Sequence, residues 1–285
     1  MLRSQAPSWG ILQKSASFLV RYGVLILFTA AILIPILLAA LGGLKTTGEL
    51  MISPISLPAS PHWENYAGIL QGQIFWRGFT NSLIIMIGTA ALMILSASAA
   101  AYVFARLSFK GRDLLFNYFT IGLLFPLAVA ILPLYILLRQ IGLLNNLFGV
   151  VLVQVAFGLT GNIVILRGFF RSIPRELEDA AYIDGCTPFG FFWRVLLPLS
   201  RPALAAVTVL VMVVSWNELF LPLLVLNDEK LWTLPLGMMQ FQGQYQTDWA
   251  LVMAFVTLSL VPTIIFYLFA ERHIIAGLTA GAIKG

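Results

Sequence analysis

The chain has 285 residues, of which 60% are hydrophobic and only 10% charged, and its mean hydropathy is +0.93. A soluble domain carries about 25% charged residues, so this composition excludes a soluble globular class and sets most of the chain against lipid or other apolar helices. The net charge of +5 does not point to nucleic acid, because the basic residues are scattered among short loops instead of forming one patch.

Residues 1–21 read as a polar, basic lead carrying Arg3, Lys14 and Arg21. The apolar run 22–44 is long enough to cross roughly 30 Å of hydrocarbon. A signal peptide has a core of only about 7–15 residues, so the run reads as a retained span. Residues 45–80 are polar, and Pro54, Pro58 and Pro61 argue against a continuous helix there. Trp63, Tyr66 and Trp76 suit an interfacial aromatic belt, with a ligand box as the alternative. The second span, 81–104, is rich in Gly, Ser and Ala, which let membrane helices pack closely. Arg106, Lys110, Gly111 and Arg112 then make a short basic turn. The third span, 114–138, holds Pro126 and Pro133, which either bend it around a cavity or are tolerated in lipid. After a turn over 139–146, the fourth span covers 147–166.

Residues 167–201 form a long polar segment with membrane-length apolar runs on both sides. Pro174 has no N–H to lose at a helix start, and Glu176, Glu178 and Asp179 place negative charge where the helix dipole favours it. Leu177, Ala180 and Ala181 fall on one face, and Gly185 suits the left-handed residue that ends such a helix. Thr187 and Pro188 read as N-cap and first residue of a second helix, with 189–197 as its body and Pro198 following it. The pattern predicts a bent pair of short helices on a membrane surface. Two exposed alanines on the first would let another protein's backbone approach closely. A plain hairpin joining two spans fits the same residues.

The run Glu178, Asp179, Ala180, Ala181, Tyr182, Ile183, Asp184, Gly185, then nine residues to Val195-Leu196-Leu197-Pro198, resembles the EAA motif of ABC importer permeases. The resemblance implies that the loop docks into a cleft on a cytoplasmic ATPase and carries its movement to the membrane helices. Asp179 stands where that motif usually has Glu, with the same charge and a reach one methylene shorter.

The fifth span, 202–226, contains Ser215, Trp216, Asn217 and Glu218 in a row. An ionisable residue inside an apolar run is a functional-site hypothesis by default. Asn217 and Glu218 either line a hydrated solute path or make a helix–helix hydrogen bond inside the bundle. Trp216-Asn217-Glu218, and Asn65-Tyr66 after the proline-rich run, resemble the sugar-permease branch. The loop 227–248 includes a Gln-rich stretch, 240–246, whose amides and aromatics suit a sugar or a protein partner, or simply a solvated loop. The sixth span covers 249–270, with Pro262 inside it. The tail 276–285 is too glycine-rich for a stable lone helix and reads as disordered. Together with residues 232–237 it resembles the C-terminal region of maltose-type carbohydrate importer permeases, which implies a tail near the ATPase dimer.

With both termini inside, thirteen of the 17 Lys and Arg face the cytoplasm, against only Lys45, Arg77, Arg139 and Lys230 opposite. This is the positive-inside bias. A single cysteine, Cys186, excludes a disulfide framework, and His62 and His273 are too far apart to suggest a metal cluster. The sequence has no Gly-x-x-x-x-Gly-Lys-Ser/Thr phosphate loop and no Ser/His/Asp or paired-carboxylate constellation, so the chain is not expected to be an enzyme.

The expectation is an all-α membrane protein: one transmembrane domain over 1–285, six spans, both termini cytoplasmic, and a coupling loop over 167–201. The resemblance implies a permease subunit in a bacterial or archaeal inner membrane, importing a sugar or oligosaccharide. Its expected partners are a second permease subunit, an ATPase dimer holding ATP and Mg, and an extracytoplasmic solute-binding protein, with no cofactor on this chain. The rival is an ATP-independent secondary transporter or channel. It calls for paired intramembrane charges or repeated broken helices, where the sequence offers chiefly Glu218.

Overall fold

The computed structural model describes residues 9–243 and 247–282. Among them the structure is helical: α1 (Trp9–Gly42), α2 (Thr47–Ile52), α3 (Trp63–Gln71), α4 (Gln73–Arg106), α5 (Arg112–Ile121), α6 (Leu127–Gln140), α7 (Leu147–Ser172) and α8 (Glu176–Ile183), then α9 (Pro188–Leu199), α10 (Arg201–Asn217), α11 (Phe220–Val225), α12 (Leu234–Gly237) and α13 (Trp249–Ala282). One isolated antiparallel bridge joins Gln242 to Thr247, closing the loop whose residues 244–246 lie outside the described residues.

Four helices are long and apolar enough to cross a membrane: Val20–Gly42, Gln73–Arg106, Leu147–Ser172 and Trp249–Leu268. Two bent pairs bring the number to six if each is one span. The first pair corrects the third expected span, which is not one rod. Arg112–Leu124 and Leu127–Gln140 meet at 100°. Pro126 supplies no N–H and holds Phe125 extended at ψ 113°, whereas Pro133 is absorbed inside α6. The second pair, Pro188–Leu199 and Arg201–Asn217, bends by 77° at Ser200, between Pro198 and Pro202.

The fifth expected span is also interrupted. Helix α10 stops at Asn217, Glu218 is extended at ψ 122°, and α11 follows. Helix α4 starts at Gln73, not at 81, and α1 starts at Trp9, so part of the expected polar lead is helical. The tail is helical to Ala282, and only 283–285 lie outside the described residues. The expectation of disorder weighed the glycines as a lone helix. As the last turns of a 34-residue helix they need no new nucleus, and each glycine costs about 1 kcal/mol against alanine.

The chain divides into two compact units. One comprises Met1–Gly68 and Phe241–Thr257. At the end of α1, a Cβ on Gly43 would lie 2.8 Å from the Ala254 Cα, so only glycine permits this approach. Tyr66 donates its hydroxyl to the Ala40 carbonyl at 2.7 Å, and Asn65 Nδ2 donates to the carbonyls of Gly43 and Lys45. Burial raises the Tyr66 phenol above its ordinary pKa. Thr47 Oγ1 donates to Asp248 Oδ1 at 2.7 Å. These side chains order the proline-rich segment that follows α1.

The other unit comprises Ile69–Gln240 and Leu258–Gly285. Its centre is α4 packed against α7 and α10. Ala97 and Ala101 are completely buried, which lets the helices approach closely where lipid offers no hydrophobic drive to association. Leu166, Phe170, Phe191, Leu196 and Val225 complete the same core. Asn81 Nδ2 donates to the carbonyls of Lys230 and Trp232, and Ser82 Oγ accepts from Leu234 N–H, fixing the 230–237 segment against α4.

Candidate functional site

The segment after α7 forms a capped hairpin of two short helices. Helix α8 carries Glu176, Glu178 and Asp179 in its first turn. It ends in a Schellman motif: Gly185 has φ +82°, its N–H bonds the Tyr182 carbonyl, and Cys186 N–H bonds the Ala181 carbonyl. Thr187 Oγ1 then accepts from Gly190 N–H at 3.1 Å to open α9 at Pro188. Pro198 does not follow this helix but lies inside it. It comes just after a π-helical stretch, Phe192–Leu196, whose wider turns relieve the ladder where Pro198 offers no N–H.

The hairpin has two faces. Asp179, Ala180, Asp184, Gly185 and Pro198 are exposed. Ala181 is half-buried and packs on the core, so the expected pair of exposed alanines is a single one. Glu178 points inward. Its Oε2 lies 3.3 Å from Arg106 Nη1, and its Oε1 accepts from the Tyr182 hydroxyl at 2.9 Å. Burial, then the bond to Glu178, push the Tyr182 phenol well above its ordinary range. Adjacent residues of an α-helix are about 100° apart around its axis, so Glu178 and Asp179 cannot share a face, and Glu178 does not stand in for Asp179 outside.

Arg106, at the end of α4, is the centre of the inner face. Its Nη2 donates to the carbonyls of Phe170 and Ile173, both at 2.6 Å, where α7 ends. Nearby, Arg167 Nε donates to the Phe104 carbonyl, and the Arg167 guanidinium lies 3.6 Å from the centre of the Phe116 ring. The sequence reading placed Arg106 in a basic turn. Nothing in its neighbours signals a partner more than sixty residues away.

A second polar layer ties α4, α7 and the last turn of α10 together. Gln154 Oε1 accepts from Thr89 Oγ1 at 2.9 Å and from Ser215 Oγ at 2.6 Å, and all three residues are buried. They border a cavity of about 390 Å³ lined also by Met93, Phe157, Asn162 and Glu218. Glu218 spans the break after α10: its Oε1 accepts from the N–H groups of Phe220 and Leu221, at 2.9 and 3.2 Å, capping α11. Asn217 is exposed, bonds back to the Val213 carbonyl of its own helix, and does not line the cavity. Gln154 and Asn162, two amides in one apolar span, carry no role in the sequence reading, though a polar side chain inside such a run is itself a signal.

Comparison with known proteins accounts for this architecture. Residues 93–275 match the family described as "Binding-protein-dependent transport system inner membrane component". The probable ABC transporter permease protein YurM of Bacillus subtilis is 34% identical over 261 residues, 92% of this chain and 87% of the relative. The diacetylchitobiose uptake system permease protein NgcG of Streptomyces coelicolor is 34% identical over 267 residues, 93% and 88% of the two chains. Among solved structures, a bacterial ABC transporter involved in the import of the acidic polysaccharide alginate superposes with a TM-score of 0.78 at 22% identity, covering 95% of this chain and 99% of that one. The chain belongs to the binding-protein-dependent transport system inner membrane components and is a multi-pass membrane permease.

Proposed function

We propose that the chain is one of two permease subunits of an ABC importer that carries a sugar or oligosaccharide into a bacterial or archaeal cell. It crosses the membrane six times, each bent pair counting as one span, with both termini in the cytoplasm. ATP and Mg belong to a separate ATPase dimer, this chain binds no cofactor, and an extracytoplasmic binding protein delivers the solute. The carbohydrate cargo is supported by relatives such as the diacetylchitobiose permease. It also suits the midspan cavity, where hydroxyl, amide and carboxylate groups face apolar walls. Glu218 then borders the solute path, with Asn217 beside it at the same break.

The observation that carries the reading is the two-faced hairpin. A coupling element needs one face free for a partner and another tied to the helices it moves. Asp179, Ala180, Asp184 and Gly185 are exposed on α8 and its turn, while Glu178 is held from behind. ATP closing the ATPase dimer shifts the docked hairpin and biases the bundle toward an outward-facing state, and hydrolysis restores the inward-facing one.

Gly185→Val tests this. Its φ of +82° is an outlier for a β-branched residue, so the turn between α8 and α9 deforms. Uptake of a radiolabelled panel of neutral and acidic oligosaccharides by cells should fall to background while the amount of chain in the membrane stays normal. Normal uptake by this variant would remove the hairpin from the mechanism. Uptake by vesicles holding this chain without an ATPase would favour a secondary transporter.

A further inference from the structure

We propose that Arg106 is the positioning residue through which the α8–α9 hairpin moves the bundle, a three-way pin joining the ends of α4 and α7 to α8. The inference rests on the permease reading above and names the link inside the chain that the reading requires.

Three observations carry it. First, the guanidinium reaches acceptors on two other elements at once: the carbonyls of Phe170 and Ile173 at the end of α7, and the carboxylate of Glu178 on α8. The carbonyl end of a helix lacks internal partners, and its dipole draws a cation. Secondly, the pair is out of water, with side-chain exposures of 2% for Arg106 and 11% for Glu178. Buried ion pairs are poor stabilisers compared with apolar packing of the same volume, and their best-attested use is to hold one register. Thirdly, a parallel tie runs to the second helix of the hairpin, since Tyr102 on α4 donates its hydroxyl to the Pro188 carbonyl at 2.9 Å. Helix α8 therefore cannot roll or slide without withdrawing Glu178 from the guanidinium. A push on its exposed face passes to α4 and α7, which border the midspan cavity through Thr89, Met93, Gln154 and Asn162. Lysine replaces the pin only in part, because one ammonium lacks the planar fork that meets separated acceptors.

The test uses the reconstituted importer with its ATPase and binding protein, and compares wild type with Arg106→Lys and Arg106→Gln. Two quantities are read: amide hydrogen exchange over residues 176–186, and import of a radiolabelled panel of neutral di- and trisaccharides per ATP hydrolysed. Loss of a charge-assisted bond predicts exchange faster by about tenfold or more over 176–186 in both variants, with the α4–α7 core unchanged. Import per ATP should fall alongside, less in Arg106→Lys than in Arg106→Gln. If Arg106→Gln does not assemble, Glu178→Gln, which keeps the shape and removes the charge, takes its place with the same expectation. Unchanged exchange overturns the pin. Faster exchange with import per ATP at the wild-type value shows a tie that transmits nothing, and overturns it equally. A wild-type assembly that imports no sugar and retains no ATPase defeats the permease reading itself, and the pin with it.

Discussion

Two buried cations, Lys45 and Arg106, show how differently one charge can be used. Lys45 is completely buried, and its ammonium donates to Ser53 O at 2.7 Å, to Pro54 O at 3.5 Å and to Ser56 Oγ at 3.2 Å. Every acceptor is neutral and lies within the next eleven residues. Arg106 instead takes partners 64, 67 and 72 residues away, one of them a carboxylate. The ammonium is a compact point charge that a short loop can wrap, and the guanidinium is a fork that spans elements. The first closes a segment on itself. The second joins the ends of α4 and α7 to α8.

The comparison breaks most visibly at Arg106. Arg106→Met leaves the Glu178 carboxylate buried without its cation, and should cost about 3–5 kcal/mol in SDS-induced unfolding of the purified chain. Adding Glu178→Leu removes the orphaned charge, so the double variant should recover much of that loss. Recovery stays incomplete because Phe170 and Ile173 still lack the donor that Arg106 gave them. A double variant as unstable as Arg106→Met would show that Glu178 is not the partner that matters.

Lys45→Met should act on a smaller scale and locally. It removes an ammonium whose acceptors include two backbone carbonyls, at about 1–3 kcal/mol, with no carboxylate left behind. Hydrogen exchange should quicken over residues 46–56, where Thr46 caps α2 and the Ser53 N–H bonds Glu49 O. Slowed or unchanged exchange there would mean that the segment is held without Lys45, by the bond of Thr47 to Asp248 and those of Asn65 and Glu49 to Lys45 O and Ala59 N.

What the sequence made legible follows the same line between local and distant causes. The long apolar runs of α1, α4, α7 and α13 stand out because a span needs nothing beyond its own composition. The Gly185 turn and the Thr187 cap are equally local chemistry, written within a few residues. The break at Pro126 was not separable from the tolerated Pro133, because the difference lies in Phe125 leaving the helix at ψ 113°. The break at Glu218 has no glycine at it, and its cause is a carboxylate turning to cap the helix ahead. Which of the neighbouring acids Glu178 and Asp179 faces inward depends on Arg106, and no reading of residues 176–185 alone contains that answer.

The smallest expected effect sits at the start of α3, where an ionisable pair is fully local. His62 Nδ1 and Glu64 Oε1 form a close pair two residues apart, and the Glu64 side chain is 70% exposed. That hydrogen bond, then the one to its own backbone N–H, hold the Glu64 carboxyl below its ordinary pKa. A carboxyl lowered in the folded state adds stability that is complete above its unfolded value, where both states are ionised, and that is lost at lower pH because the unfolded chain takes up the proton more readily. The contribution disappears as pH falls through the lower, folded value. Protection of residues 65–68, taken relative to the intrinsic exchange rate at each pH, should therefore fall on acidification in the wild type more than in Glu64→Gln, which has no proton to take up. At this exposure water screens the pair and the difference should be slight. Equal acid sensitivity in the two proteins would show that the contact orders the turn without any electrostatic contribution.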